Sequence, residues 1–206
     1  MFSEPRWIAV IALALFVVGL LVAFVWRGWL QARRTGDWGI RIGSGNARGA
    51  GRLGEVLFAA SLLLAVVGLV IAVAIPTWRL LEPGALSWVG LAIAVLGLIA
   101  VVASQFSMGA SWRVGVDPAE ETELVTGGAF AIVRNPIFTA MGVALAGVAM
   151  MVPNLAILLS LVLFVVGVQL QVRLVEEPYL LATHGEAYRE YARRTGRFLP
   201  GLGRGI

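Results

Sequence analysis

Five apolar stretches, each bounded by polar residues, constrain the fold of this chain more than any other feature. They occupy residues 7–26, 53–75, 86–106, 136–152 and 155–172. A helix needs about 20 apolar residues to cross a bilayer. The mean hydropathy is +0.88 and only 14% of the residues are charged, which is typical of a polytopic membrane protein. We therefore predict an all-α fold with five transmembrane helices, of which the fourth is short.

The last two stretches form a hairpin, because Pro153-Asn154 is a turn signal between them. We divide the chain into three N-terminal spans within residues 1–106 and a second region at 107–206. The second region contains a loop at 107–135, the hairpin at 136–175 and an amphipathic tail helix at 178–194. The hairpin carries the polar segments at its two ends to the same membrane surface.

The arginines predict which surface this is. Fourteen of the sixteen basic residues lie in the first loop, the third loop and the tail, and only Arg6 and Arg79 lie on the other face. The positive-inside rule then places the N-terminus outside and the C-terminus and tail helix in the cytoplasm. All the basic residues are Arg, and Ala, Val and Gly are abundant, a composition that favours a prokaryotic host and its plasma membrane.

Composition also excludes several kinds of chemistry. The chain has no Cys, no Lys and a single His, His184. It therefore has no disulfide, thiol nucleophile or Schiff-base lysine, and we predict no metal site.

The first of two polar motifs precedes the hairpin and runs Leu124-Val-Thr-Gly-Gly-Ala-Phe-Ala-Ile-Val-Arg-Asn-Pro136. Its paired glycines permit a tight turn or close approach to a ligand. Asn135 is at a natural N-cap position with Pro136 at N1, and a helix N-terminus suits a carboxylate or phosphate. Arg134 adds a fork-shaped donor. A simpler interpretation fits as well: Asn135 only caps the helix and Arg134 binds lipid head groups.

The second motif follows the hairpin. It begins Glu176-Glu-Pro-Tyr179, continues His184-Gly-Glu-Ala-Tyr188-Arg-Glu-Tyr191 and ends Arg197-Phe-Leu-Pro200. We expect Pro178 to redirect the chain at the membrane surface. On a 3.6-residue period, one face of the helix that follows carries Glu177, Leu181, His184, Tyr188 and Tyr191. That face suits a ligand site, and it equally suits an interfacial amphipathic helix.

Together the motifs predict a half-polar, half-apolar pocket at the boundary of cytosol and bilayer. Such a pocket suits a charged cofactor from one side and a lipophilic acceptor from the other. The two adjacent carboxylates at the end of the fifth span support a functional site, since charges there usually have a partner or a role.

At these residues the chain resembles the superfamily of isoprenylcysteine carboxyl methyltransferases and phospholipid methyltransferases. The family pattern is Leu-Val-Thr-x-Gly-Pro-Tyr, then Arg-His-Pro-x-Tyr, an apolar hairpin, Glu-Glu, a Tyr-rich tail and Arg-Phe-Ile-Pro. The order and spacing match over about the last hundred residues. The chain departs from the pattern at Asn135, where the family often has His, and at Phe130 and Phe138, where it has Tyr.

The resemblance implies an integral membrane enzyme that moves a methyl group from S-adenosylmethionine to a lipophilic acceptor. It assigns the amino acid end of the cofactor to Thr126, Gly127, Gly128, Arg134 and Asn135. Candidates for the adenine and ribose are Phe130, His184 and Tyr188, and Glu177 is a candidate for the ammonium group or the ribose hydroxyls. Arg194 or Arg197 is expected to orient an anionic acceptor. Glu176 or His184 is the expected base for an amine or alcohol acceptor.

Two other functions remain open at this point. Membrane sterol reductases have a similar hairpin and Tyr-rich tail and use NADPH, and a non-enzymatic scaffold would also explain the spans. We expect membrane lipids and a lipid or small lipophilic substrate as partners, and no nucleic acid. The methyl acceptor and the oligomeric state are not readable from the sequence.

Overall fold

The structure is a computed structural model that describes residues 4–41, 49–115 and 123–206. Most of the first loop, at 42–48, and part of the loop before the hairpin, at 116–122, lie outside the described residues. The main helices are α1 (Glu4–Leu20), α2 (Arg27–Thr35), α3 (Ala50–Ala74), α4 (Ala85–Met108), α5 (Pro136–Met151), α6 (Leu155–Gln171) and α7 (Glu177–Arg194). Two π-helical turns, Leu21–Trp26 and Val172–Glu176, join α1 to α2 and α6 to α7.

The all-α polytopic fold is confirmed. Within the described part of the chain, four helical runs are long and apolar enough to cross a membrane: Arg6–Thr35, Ala50–Ala74, Ala85–Met108 and Leu155–Arg194. Helix α5 has 16 residues, which is about 24 Å at the usual helical rise and shorter than a typical hydrocarbon core. The fourth predicted span is therefore an apolar helix of less than full spanning length.

The surface of the bundle is apolar and its interior holds small and polar side chains. Leu63, Leu96 and Leu155 are each about two-thirds exposed, whereas Ser61 and Ser160 are fully buried. This distribution is the reverse of that in a water-soluble protein and is typical of helices packed within lipid.

The bundle consists of two tightly packed helix pairs. In the first pair, a Cβ atom on Gly147 of α5 would lie 2.4 Å from the Ala94 backbone nitrogen of α4. In the second pair, a Cβ on Gly54 of α3 would lie 2.8 Å from the Gln171 backbone nitrogen at the end of α6. Glycine is therefore required at these helix crossings, as it is in many membrane helix contacts. The arms of the predicted hairpin, α5 and α6, each pack mainly against another helix and less against each other.

The turn between α5 and α6 confirms the signal at Pro153-Asn154. The Asn154 side chain accepts a hydrogen bond from the Ile157 amide at 3.1 Å and caps α6. Its amide group also donates to the Gly68 carbonyl of α3 at 3.3 Å. This turn therefore starts α6 and ties it to α3.

Pro178 does not end the helix, so the change of direction expected there stays a prediction. The helix continues from α6 into α7 through the π-helical turn at Val172–Glu176, which accommodates a proline that lacks an N–H donor. The break comes at Gly185, where φ is 54° and ψ is −122°. A single 3.6-residue period therefore does not extend from Glu177 to Tyr191, although Glu177, Tyr188 and Tyr191 are all buried.

Candidate functional site

A cavity of about 400 Å³ lies between the two helix pairs at one end of the bundle. At this end α3 and α5 begin while α4 and α6 finish, so all four helices contribute walls. The loop after α4 forms the roof of the cavity, which consists of Trp112, Arg113, Val114 and Gly115. Helix α7 adds Tyr179 and Leu180 to the rim.

The cavity has a polar end and an apolar end. The polar end lies near the ends of the helices and is lined by Glu55, Gln105, Asn135, Gln171 and Glu176. Deeper positions on the same helices carry Phe58, Leu62, Phe138, Met141 and Val168. This gradient, which the sequence predicted for a pocket between the two motifs, suits an amphiphilic ligand.

The roof of the cavity is held by the N-terminal region. The guanidinium of the buried Arg27 lies 4.7 Å from the centre of the Trp112 ring, and it donates to the Gly109 carbonyl at 2.6 Å. The segment after α2 pairs with the roof, since Val114 donates to the Gly39 carbonyl and Arg41 donates to the Val114 carbonyl, both at 2.8 Å. Helix α2 and the segment that follows it therefore hold the roof in place.

A buried ion-pair network lies beside the cavity and joins the two sequence motifs. Arg134 donates to Glu177 Oε1 at 2.9 Å, and Arg197 donates to Oε1 at 2.7 Å and to Oε2 at 2.9 Å. The same Arg134 guanidinium donates to the Ala192 carbonyl at 2.8 Å and to the Thr195 carbonyl at 3.1 Å. The hydrogen bonds to Glu177 raise the pKa of Arg197 above its already high ordinary value. Both Glu177 oxygens are thus occupied by guanidinium donors.

Backbone pairing continues this connection. The Arg134 amide donates to the Gly196 carbonyl at 2.8 Å, and the Asn135 amide donates to the Arg197 carbonyl at 3.1 Å. The Tyr191 hydroxyl donates to the Phe130 carbonyl at 2.7 Å. The segment after α7 therefore lies against the start of α5 and forms one unit with it.

Asn135 sits at the N-cap position of α5 with Pro136 at N1, as predicted, but its side chain does not cap the helix. The amide group donates instead to the Arg197 carbonyl at 3.1 Å. The tail therefore lies directly in front of the start of α5. Asn135 thus lines the cavity and holds the tail at the same time.

The structure brings some of the predicted site residues to the cavity and places others elsewhere. Four line the cavity: Phe130, Arg134, Asn135 and Glu176. Three others lie beside the cavity, in the packed junction between the tail and the start of α5: Glu177, Tyr188 and Arg197. Glu177 and Tyr188 are buried there.

The remaining predicted residues lie nearer the surface. Thr126, Gly127 and Gly128 are exposed. Arg194 is also exposed and pairs with Glu190 at 3.4 Å. His184 is half-buried, and its Nε2 is buried with no hydrogen-bond partner among the described residues.

Sequence reasoning missed several residues of the cavity wall, chiefly Glu55, Gln105, Trp112, Gln171 and Tyr179. A signal for three of them was present, because polar side chains near the ends of apolar spans are costly and usually functional. Nothing in the sequence indicated that Trp112 would close the cavity.

The fold and the cavity define an integral membrane protein with an amphiphilic ligand site at one end of its bundle. A family model described as phospholipid methyltransferase matches residues 85–187, which is half of the chain. The chain therefore belongs to the phospholipid methyltransferase family, and the resemblance seen in the sequence motifs is confirmed. Its class is that of a membrane methyltransferase. No curated protein matches the chain at a significant level.

Proposed function

We propose that this protein transfers a methyl group from S-adenosylmethionine to a lipophilic acceptor, and that both bind in the cavity between the helix pairs. The single observation that carries the proposal is the polar-to-apolar gradient of that cavity, most of whose lining residues lie within the family-matched region. A volume of about 400 Å³ is within the usual range for small-molecule sites.

The chemistry of the cavity wall fits the cofactor. S-adenosylmethionine carries a sulfonium and an ammonium group, a carboxylate, a ribose and an adenine. The Glu176 carboxylate suits one of the cationic groups, and Asn135 offers an amide. Phe130, Trp112 and Tyr179 supply aromatic rings for the adenine. The cofactor would supply an electrophilic methyl group, which an acceptor heteroatom attacks in line.

In that reaction a bond forms between the acceptor atom and the methyl carbon while the carbon–sulfur bond breaks. The bonding electron pair goes to sulfur and leaves S-adenosylhomocysteine. A carboxylate or thiolate acceptor needs no base, whereas an amine or alcohol also loses a proton, for which we assign Glu176. The protein's main contributions would be alignment of the two reactants and exclusion of water by the roof.

The buried network suggests a division of roles among the predicted residues. Because their charged groups are bonded to each other, we assign Arg134, Glu177 and Arg197 to holding the cavity wall. Tyr188 packs within that junction. A direct role for the exposed Thr126, Gly127, Gly128 and Arg194, or for His184, requires the ligand to extend beyond the cavity.

We also propose a cytoplasmic location for the open end of the cavity. Fourteen of the sixteen arginines belong to loops or the tail at this end in the predicted topology, and the positive-inside rule then sets the orientation. S-adenosylmethionine would reach the site from the cytosol in a prokaryotic plasma membrane.

The proposal is tested by ligand-induced stabilisation of the purified protein in detergent. S-adenosylhomocysteine should raise the melting temperature in a concentration-dependent manner, because it binds only the folded state. NADPH should have no effect. Stabilisation by NADPH alone would favour a reductase, and no response to either ligand would favour a scaffold. A screen of lipid extracts with methyl-labelled cofactor would then identify the acceptor.

A further inference from the structure

We propose that Glu55, Gln105 and Gln171 form a polar collar that binds an N–H or O–H donor on the head group of the methyl acceptor. The inference rests on the proposed function and specifies the substrate class of the same site. Glu55 lies on α3, outside the region matched by the family model. The collar is therefore a property of this chain and not part of the matched methyl-transfer region alone.

Gln105 provides the first observation. It lines the cavity and is only 3% exposed. Its Nε2 donates to the Ala23 carbonyl at 2.8 Å, which fixes the orientation of the amide. Its Oε1 is buried and receives no hydrogen bond from any described residue. A buried acceptor without a donor is costly and rare in folded proteins.

Gln171 repeats this arrangement on the opposite wall. It lines the cavity, is 7% exposed, and its buried Oε1 also lacks a donor within the described ranges. Helix α3 passes very close here, because a Cβ on Gly54 would lie 2.8 Å from the Gln171 backbone nitrogen. Glu55 is the next residue on α3 and also lines the cavity.

Glu55 adds negative charge to the same level of the cavity. It is half-buried and forms no ion pair with another residue of the described segments. The three side chains thus present two amide oxygens and a carboxylate, all of which accept hydrogen bonds. A ligand satisfies this set only if it brings donors, as a hydroxyl or a protonated amine does.

The position of the collar assigns it to the acceptor. Phe58 and Leu62 follow Glu55 along the cavity face of α3, and Val168 precedes Gln171 by one turn of α6. A head group held at the collar would therefore place its alkyl chain among these apolar side chains. A capped head group, such as a methyl ether or a quaternary ammonium, would leave the three acceptors without donors. A site built for hydrogen bonding rejects analogues that lack the bonding group.

The test compares amphiphiles that share one alkyl chain and differ only in the head group. Binding of a long-chain alcohol and a primary amine is measured by thermal stabilisation of the detergent-purified full chain, alongside the matching methyl ether and trimethylammonium compound. Wild-type protein should bind the donor-bearing member of each pair at least about tenfold more tightly. Glu55→Gln and Gln171→Leu should each reduce that preference. Glu82→Gln is the matched control, because Glu82 pairs with Arg79 at the opposite end of the bundle and is exposed.

S-adenosylhomocysteine affinity is measured for the same variants, because the amino group of the cofactor is a second source of donors. If Glu55→Gln weakens S-adenosylhomocysteine and leaves the preference between amphiphiles intact, the collar binds the cofactor and the inference is wrong. Equal binding of capped and uncapped amphiphiles by wild type, or no binding of either, also overturns it. Failure of wild type to bind S-adenosylhomocysteine counts instead against the proposed function.

Discussion

Replacement of Glu177 by Gln should loosen the junction between the tail and the cavity wall. The side chains of Arg134, Glu177 and Arg197 are only 2%, 5% and 12% exposed. The neutral amide would leave two buried guanidinium groups without a counter-charge, and removal of one partner from a buried ion pair costs about 3–5 kcal/mol. For a chain of this size 1 kcal/mol corresponds to roughly 2–4 °C in melting temperature, so the expected decrease is roughly 6–20 °C.

The matched control is Glu190→Gln on the same helix. Glu190 is 62% exposed and lies 3.4 Å from Arg194, and exposed pairs contribute about 0–1 kcal/mol. Its melting temperature should fall by less than about 4 °C. Both variants are measured by thermal unfolding in one detergent, with limited proteolysis of the tail as a second readout. Equal shifts for the two variants would refute the reasoning. S-adenosylhomocysteine affinity should fall in Glu177→Gln, and an unchanged affinity would exclude any role of this residue in the cofactor site.

Two substitutions and one titration test other parts of the account. Gly147→Ala would bring a Cβ to 2.4 Å from the Ala94 nitrogen and should destabilise the protein by about 1–3 kcal/mol or more in thermal unfolding, whereas Gly84→Ala, with open space around it, should be tolerated. Tyr191→Phe removes a 2.7 Å hydrogen bond to a buried carbonyl and should cost about 1–3 kcal/mol by the same assay. Hydrogen bonds from an arginine side chain and a backbone amide lower the pKa of Asp37 from 3.8 to about 2, so its contribution to stability is complete above its usual pKa and is lost as the pH falls through about 2. An NMR titration midpoint near 3.8 would contradict this last prediction.

The sequence predicted those features that depend on local composition. Apolar length located the membrane helices, and Pro153-Asn154 located the turn between α5 and α6 because a side-chain cap is a local interaction. The juxtaposition of the two polar motifs also followed, since the intervening helices return the chain to the same end of the bundle. The hydrogen bond between Arg134 of the first motif and Glu177 of the second shows that the motifs lie side by side.

Other features depended on packing and could not be predicted. The pairing of α4 with α5 and of α3 with α6 follows from close contacts at Gly147 and Gly54, which are not distinguishable in the sequence from the many other glycines. The helical period of the tail failed at Gly185, because glycine tolerates a backbone conformation that interrupts the helix. Asn135 occupies the predicted N-cap position of α5, but its side chain donates a hydrogen bond to the Arg197 carbonyl of the tail. The sequence could not predict this bond, because only the folded chain brings that carbonyl within reach.

The most direct test of the central claim is the dissociation constant of S-adenosylmethionine for wild type and for Glu176→Gln, measured by calorimetry in detergent. Gln preserves the shape of this cavity-lining side chain and removes its charge. At about pH 8, where this carboxyl group is mostly ionised, a charge pair at a partly buried site is worth more than about 1.4 kcal/mol, so affinity should fall by at least about tenfold. Glu186→Gln, whose side chain is 66% exposed, should bind as wild type does. Equal affinity for wild type and Glu176→Gln, or no binding by wild type, would contradict the assignment of the cavity as the cofactor site.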